Sequence, residues 1–247
     1  EKVDLGSGSK PNAGQWASLD IDIDNNPVIA HYDGGKANLR VSRLNDGTWN
    51  TEEAFTGEIF DGVENGEPVY RAADAGTYAR LVIDGDKEYI AFYDGGQQSL
   101  NLLEGYGGNY THTVIDKIGN VGQWPSIWAD GDNIMIAYQD VGNQDLRVAT
   151  RESGVFTSHV ADEGEFRGAD TEIFLIDGIF SIVYFDGQDN NMMLATQAGT
   201  TSWDIETLGG ENTAVGFHNE VIVVGETTWV ASYDFTGRDI FLQTLTE

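Results

Sequence analysis

The chain repeats one short apolar pattern five times. In each copy, a run of β-branched, aromatic and small residues ends at an aspartate, and an apolar pair lies six and eight residues beyond it. The aspartates are Asp33, Asp94, Asp140, Asp186 and Asp234, and the pairs are Leu39/Val41, Leu100/Leu102, Leu146/Val148, Met192/Leu194 and Ile240/Leu242. Successive aspartates are 61, 46, 46 and 48 residues apart. The pattern therefore predicts five structural repeats.

Each repeat has the composition of short strands and turns. In the first repeat, four runs rich in strand-forming residues cover residues 18–24, 27–32, 38–44 and 48–55, and clusters of Gly, Asp and Asn separate them. No window keeps the 3.6-residue spacing of a helix. Four strands in a period of 40 to 50 residues are typical of a β-propeller blade. We predict an all-β, five-bladed β-propeller with four-stranded antiparallel blades.

The two ends of the chain predict how the last blade is completed. The fifth repeat stops after its third strand, whereas residues 1–6 resemble the fourth strands predicted at residues 113–119 and 204–209. We expect the N-terminal strand to close the last blade and so to pair an edge that would otherwise stay open. Residues 1–247 are then a single domain.

The first repeat is about 15 residues longer than the others. The excess lies at residues 57–71, between the fourth strand of the first repeat and the second repeat. Long loops in compact domains are often functional, and Ile59, Phe60, Val69 and Tyr70 supply apolar side chains. We expect a folded lid loop here; a tolerated surface insertion is the alternative.

The net charge of −28 excludes some partners. Nucleic acid and anionic membrane surfaces would be repelled. The chain has no cysteine, does not begin with Met and contains no apolar stretch of 18 residues, so we expect no membrane insertion. These features favour a mature secreted, periplasmic or cell-surface protein, which we expect to be a monomer with a small-molecule or carbohydrate ligand.

A glycine precedes the first strand of every repeat and sets a common count. The glycines are Gly14, Gly76, Gly122, Gly168 and Gly216. The second residue after each is Trp16, Tyr78, Trp124, Asp170 and His218, and the fourth is Ser18, Arg80, Ser126, Glu172 and Glu220. First strands line the channel of a propeller, and residues two apart share a face of a strand. We therefore expect both sets to face the channel near its mouth.

The fourth and fifth repeats concentrate ionisable groups at these positions. Carboxylates placed close together repel each other unless a cation, a proton or an arginine compensates them. One hypothesis is a divalent metal site, with calcium most favoured and zinc or manganese possible, whose ligands are Asp170, Glu172, His218 and Glu220. In that site Glu172, Glu220, His218 and Arg80 would be catalytic. Metal-free acid and base catalysis and a hydrated polar plug are alternatives.

The aromatic residues of the first three repeats suggest a binding surface. Trp16, Tyr78 and Trp124 could stack on a sugar ring or an aromatic ester, with Ser18 and Ser126 beside them. Packing between blades is the alternative. The repeated aspartates have a different role, because a carboxylate followed by a Gly-rich or Asx-rich turn accepts hydrogen bonds from the turn amides.

Parts of the sequence resemble a known repeat family. Ser18-Leu19-Asp20, the run Pro27–Asp33 and Asn38-Leu39-Arg40-Val41 resemble the "SLxxD…PxIAYYD…DLxxA" propeller repeats of bacterial extracellular proteins. That resemblance implies the propeller fold and, often, a binding or adhesion role. Five-bladed glycosidases similar to arabinanases hold carboxylates at the channel mouth, and lactonase-type propellers hold Ca²⁺ there. These two are similar to this chain in the location of the site only.

We therefore expect a hydrolase that acts on a small ester, phosphoester or lactone at the channel mouth. A non-catalytic carbohydrate- or protein-binding propeller and a glycoside hydrolase are the two alternatives.

Overall fold

A computed structural model describes residues 1–6, 11–210 and 213–245. Within these ranges the chain forms twenty strands and no helix. The strands are β1 Ala13–Ile21, β2 Pro27–Asp33, β3 Asn38–Asn45, β4 Thr48–Glu64, β5 Glu67–Ala73, β6 Ala75–Asp84, β7 Lys87–Asp94, β8 Ser99–Tyr106, β9 Asn109–Asp116, β10 Val121–Asp130, β11 Asn133–Asp140, β12 Asp145–Glu152, β13 Val155–Asp162, β14 Ala169–Ile176, β15 Ile179–Asp186, β16 Asn191–Gln197, β17 Trp203–Gly209, β18 Val215–Val224, β19 Thr227–Asp234 and β20 Asp239–Leu245. No helix in the described part is long and apolar enough to cross a membrane.

The strands divide between two compact units. The first unit comprises Glu1–Gln123 and Ala129–Gly131, and the second comprises Trp124–Trp128 and Asp132–Glu247. In the first unit, β1 to β5 form one sheet and β6 to β9 another, each in sequence order. Val28, Val41, Leu81, Ile90 and Phe92 belong to the apolar core between these sheets.

The second unit repeats this arrangement. Its three sheets are formed by β10 to β13, β14 to β17 and β18 to β20. Of β10, only the central residues Trp124–Trp128 belong to this unit. Val148 and Ile182 belong to one core cluster of this unit, and Val183, Met192 and Val230 belong to another. The five sheets of the described residues match the five predicted repeats.

The predicted closing strand differs from the structure. Residues 1–6 form no strand, and the last sheet has three strands among the described residues. The polar groups of the segment bind elsewhere: the Asp4 carboxylate accepts from the Gly6 amide and forms an ion pair with Arg40 of β3 at 3.2 Å. In the last sheet the apolar pair Ile240 and Leu242 is 78% and 58% exposed.

The predicted lid at residues 57–71 is a β-hairpin rather than a loop. β4 continues past the length of an ordinary fourth strand, and β5 pairs with it from Gly57 opposite Ala73 to Glu64 opposite Glu67. Asn65 and Gly66 form the turn, both with positive φ (52° and 87°). An Asn-Gly pair between two strand-like runs is a strong hairpin signal. Whether the hairpin acts as a lid stays a prediction.

Candidate functional site

The second residue after each glycine has a left-handed backbone in all five first strands. The φ angles are 47° at Trp16, 56° at Tyr78, 52° at Trp124, 54° at Asp170 and 54° at His218. The pairing register of the first strand breaks at this point in β1, β6, β14 and β18. These four first strands thus carry a bulge, which re-aims a side chain and bends the strand. Strict alternation is thus interrupted between the second and fourth positions of these strands, and the expectation that both positions face the channel stays a prediction.

The preceding glycine lets neighbouring strands approach closely. A Cβ on Gly122 would lie 2.6 Å from the Leu100 Cα, and a Cβ on Gly168 would lie 2.8 Å from the Leu146 Cα. Leu100 and Leu146 belong to the repeated apolar pairs. The regular spacing between each apolar pair and the glycine of the next repeat therefore reflects a packing contact between the two, which recurs in more than one pair of sheets.

Asp170 is a structural link in the second unit. Its side chain is buried, and its carboxylate accepts a short hydrogen bond from the His218 backbone amide. The Asn219 amide donates to the Asp170 and Gly216 carbonyls, both at 2.8 Å. These bonds connect β14 with β18. Asp170 therefore holds two first strands together, a role that the sequence did not suggest.

The predicted ligand-binding serines also connect neighbouring strands. In the second unit, the Ser126 and Thr171 hydroxyls are 3.0 Å apart, and Thr171 donates to the Trp124 carbonyl at 2.7 Å. In the first unit, the Ser18 hydroxyl accepts from the Leu81 amide at 3.0 Å. These contacts give both serines a structural function, and a substrate contact by either one stays a prediction.

Glu172 and Glu220 occupy equivalent places on β14 and β18. Glu172 pairs with Val183 and Glu220 pairs with Ala231, each directly after the bulge. Glu172 is half-buried, whereas Glu220 and His218 are exposed. Among the described residues, no three or more His, Cys, Asp or Glu side chains form a group able to hold a metal ion. The metal assignment of Asp170, Glu172, His218 and Glu220 stays a prediction.

The first unit contains a row of four aromatic rings, which we call the aromatic ledge: Trp16, Tyr32, Tyr78 and Tyr93. The Trp16 centroid lies 5.5 Å from that of Tyr32 and 5.0 Å from that of Tyr78, and the Tyr78 and Tyr93 centroids are 6.3 Å apart. Burial, and secondarily the nearby Tyr93, raises the pKa of Tyr78. The rings are therefore neutral at physiological pH.

Three residues of this region were missed in the sequence. Tyr32 and Tyr93 each directly precede a repeated aspartate. The Tyr32 hydroxyl donates to the Asp74 carboxylate, and the Tyr93 hydroxyl donates to the Asn120 side-chain oxygen at 2.7 Å. Burial and then the bond to Asp74 raise the pKa of Tyr32. A signal was present, because an aromatic residue precedes the aspartate in four of the five repeats. Asp74 lies between strands and had no such signal.

Arg80, which the sequence predicted to be catalytic, is half-buried on β6, opposite Ala91.

The turn role of the repeated aspartates is confirmed. Each carboxylate accepts from backbone amides two or three residues further on, at distances of 2.8 to 3.3 Å. Asp33 also pairs with Arg40 at 3.1 Å, and Asp186 pairs with Arg167. Asp94 differs: it is 1% exposed, and its Oδ2 has no hydrogen-bond partner among the described residues.

Comparisons with known proteins show the fold. No family model and no curated protein sequence matches the chain. Three similar solved structures are an exo-β-1,3-galactanase from Phanerochaete chrysosporium with β-1,3-galactotriose, a bifunctional GH43-CE protein from Bacteroides eggerthii and a GH43_1 enzyme from Xanthomonas citri with xylotriose. Their TM-scores are 0.57, 0.54 and 0.50, at identities of 10%, 12% and 11%.

These matches cover nearly all of this chain but different fractions of the neighbouring structures. They cover 98%, 98% and 96% of this chain, but 63%, 34% and 90% of the respective neighbours. The chain thus spans less than two thirds of the first two. At these identities the likeness concerns the fold alone. The chain is an all-β protein with the fold of a five-bladed β-propeller.

Proposed function

We propose that this chain is a glycoside hydrolase in which Glu172 and Glu220 perform the acid and base chemistry. The observation that carries the proposal is their equivalent placement on β14 and β18, two strands joined by the hydrogen bonds of Asp170 and Asn219. A pair of carboxylates flanking a glycosidic bond is the general requirement of this reaction. The fold that the chain shares with sugar-binding enzymes supports the same class.

The two glutamates differ in their access to water. Glu172 is half-buried and Glu220 is exposed. We assign the general acid to Glu172, which would protonate the leaving-group oxygen. Glu220, open to solvent, would act as the base that activates water or as the nucleophile. The distance between the carboxyl groups in the working enzyme decides between inversion and retention.

The neighbouring residues position this pair. Asp170 fixes the backbone of β18 at His218, two residues before Glu220. The exposed His218 side chain is free to contact a substrate hydroxyl. Asp170 is therefore a positioning residue, because its carboxylate already accepts a hydrogen bond from the His218 backbone amide.

This proposal replaces the small-ester, phosphoester or lactone hydrolase that the sequence first suggested. Glycoside hydrolysis by two carboxylates needs no metal, so calcium is not part of the proposed mechanism. Calcium dependence, secretion and a monomeric state stay predictions. A chelator should leave glycosidase activity unchanged.

The test is hydrolysis of aryl xylosides, arabinofuranosides and galactosides. Glu172→Gln and Glu220→Gln should each lower kcat by about 10² or more, with unchanged thermal stability. Glu206→Gln, at an exposed carboxylate on β17 of the same unit, is the matched control and should retain full activity. An inactive wild type, or full activity in both glutamine variants, would contradict the proposal and favour a non-catalytic binding propeller.

A further inference from the structure

Two buried tyrosines of the aromatic ledge are fixed by hydrogen bonds. Tyr32 and Tyr93 are buried, and each is fixed through its hydroxyl, to the Asp74 carboxylate and to the Asn120 side chain. Both bonds lie within the first unit. A ring anchored at its hydroxyl loses little freedom when a ligand binds in front of it, so the two buried tyrosines form a rigid backing.

The front of the ledge is exposed. Trp16 is 38% exposed although it contacts two other rings, and Tyr78 is half-buried. Both residues lie on left-handed bulges, with φ of 47° and 56°. A bulge changes the direction in which a side chain points. More than a third of the Trp16 surface therefore remains open to a ligand.

A polar acceptor stands at the edge of this apolar surface. Asp74 is exposed, and one of its carboxylate oxygens accepts from Tyr32. A carboxylate has about four lone-pair sites, so it can accept further hydrogen bonds from ligand hydroxyls. Aromatic faces beside a few polar groups are the usual composition of a small-ligand site. A pyranose has the matching chemistry, with an apolar C–H face and hydroxyls at its edge.

The charge of the chain restricts the kind of sugar. A net charge of −28, with Asp74 beside the rings, repels uronic-acid and sulfated chains. We propose that the aromatic ledge binds neutral oligosaccharides, through stacking on Trp16 and Tyr78 and hydrogen bonding to Asp74. This inference rests on the proposed function for its biological context, but the binding itself requires no catalysis.

The experiment measures binding without hydrolysis. Calorimetric titration of the Glu172→Gln protein with xylotriose, cellotriose and a galactotriose should give saturable binding of at least one of them, and none with trigalacturonate. Trp16→Ala in that background should weaken binding at least tenfold, and Tyr78→Phe should leave it within about twofold because only the ring face is used. Tyr106→Ala, at an exposed aromatic of the same unit, is the control and should bind normally.

A second measurement covers the case in which Trp16→Ala fails to fold. Saturation transfer from the aromatic protons of the folded protein should reach the axial C–H protons of the bound sugar first. Absence of binding by any neutral trisaccharide, or unchanged binding in folded Trp16→Ala, would overturn the ledge assignment. Binding of a neutral trisaccharide together with a wild-type protein that hydrolyses none of the aryl glycosides would overturn only the proposed function.

Discussion

The first strands of the two units share one backbone conformation but carry different chemistry. In the first unit the left-handed residues of β1 and β6 are Trp16 and Tyr78, which belong to an aromatic surface. In the second unit the equivalent residues of β14 and β18 are Asp170 and His218, and one fixes the backbone of the other. The bulge is therefore a property of the repeat. The side chain on it decides whether the position stacks, links strands or faces solvent.

This comparison also explains why strain alone does not identify the site. A left-handed conformation costs an L-residue about 1–2 kcal/mol, and it occurs here at five equivalent positions. Since Trp124 shares it as well, the strain belongs to the packing of first strands. Function has to be argued from the groups that each bulge presents.

The largest expected effect concerns the glycines before the bulges. Gly122→Ala should cost roughly 3 kcal/mol or more, because the added Cβ would meet the Leu100 backbone at 2.6 Å in addition to a strained φ of +102°. Gly14→Ala has a similar φ of +98° but no atom within 4 Å, so it should cost only about 1–2 kcal/mol. Urea unfolding of both variants measures the difference. Equal losses would show that the close contact is unimportant.

The next effect tests the structural role of Asp170. Asp170→Ala should cost about 2 kcal/mol, since a buried charged acceptor for the His218 amide is lost. Asp170→Asn should restore most of this, because an asparagine keeps an acceptor and tolerates a left-handed backbone. The two variants are compared by chemical denaturation. An unchanged free energy of unfolding in Asp170→Ala would contradict the structural role of Asp170.

The repeated aspartates extend the comparison within the first unit. Burial raises the pKa of Asp94, against the lowering effect of amides from Gln97 and Gly96. A folded-state pKa above the unfolded value means that stability is lost as pH rises through that window. Asp94→Asn should therefore stabilise the protein at pH 7 by on the order of 1 kcal/mol and flatten its pH dependence. Thermal unfolding between pH 4 and pH 7 measures both effects.

Asp33→Asn is the control, because Asp33 forms an ion pair with Arg40, seven residues further on, whereas the residue seven positions after Asp94 is the uncharged Asn101. It should lower stability at pH 7. Opposite signs for the two variants support the assignment, and a loss of stability in both would contradict it.

The smallest effect separates backbone strain from side-chain packing. His218→Gly removes an exposed side chain from a left-handed position, so relief of strain and the backbone entropy of glycine should leave a net gain of about 0.5 kcal/mol. Trp16→Gly gives the same relief but removes ring contacts with Tyr32 and Tyr78, so it should be destabilising. Differential scanning calorimetry resolves the two signs. A loss in His218→Gly would show that its side chain packs more than its exposure indicates.

Much of the fold was predictable because repetition is visible in the sequence. The five aspartates, the apolar pairs and the preceding glycines marked the sheets and their turns, and the turn role of the aspartates followed from Asx chemistry. The hairpin at residues 57–71 was missed as an element, although Asn65-Gly66 signalled it. The closing strand at residues 1–6 was argued from similarity between strands, and similarity does not decide which groups the segment binds.

The candidate site was predictable in its residue types but not in its geometry. The sequence singled out Glu172, Glu220, Trp16 and Tyr78, but it grouped Asp170, Ser18 and Ser126 with them on the assumption of strict alternation. The bulge breaks that alternation. In β6, β14 and β18 the bulge follows a glycine that allows the strand to approach a neighbouring one, and this is a contact between residues that are distant in sequence.

The sequence by itself determined the all-β class, the number of repeats, the turns and the acidic charge, because these follow from local composition and from spacing along the chain. Only the tertiary structure decided which side chains link strands and which remain open to a ligand. The physical reason is that the hydrogen bonds of Asp170, Ser18 and Tyr32 join residues 42 to 63 positions apart, and no local pattern encodes such a partner.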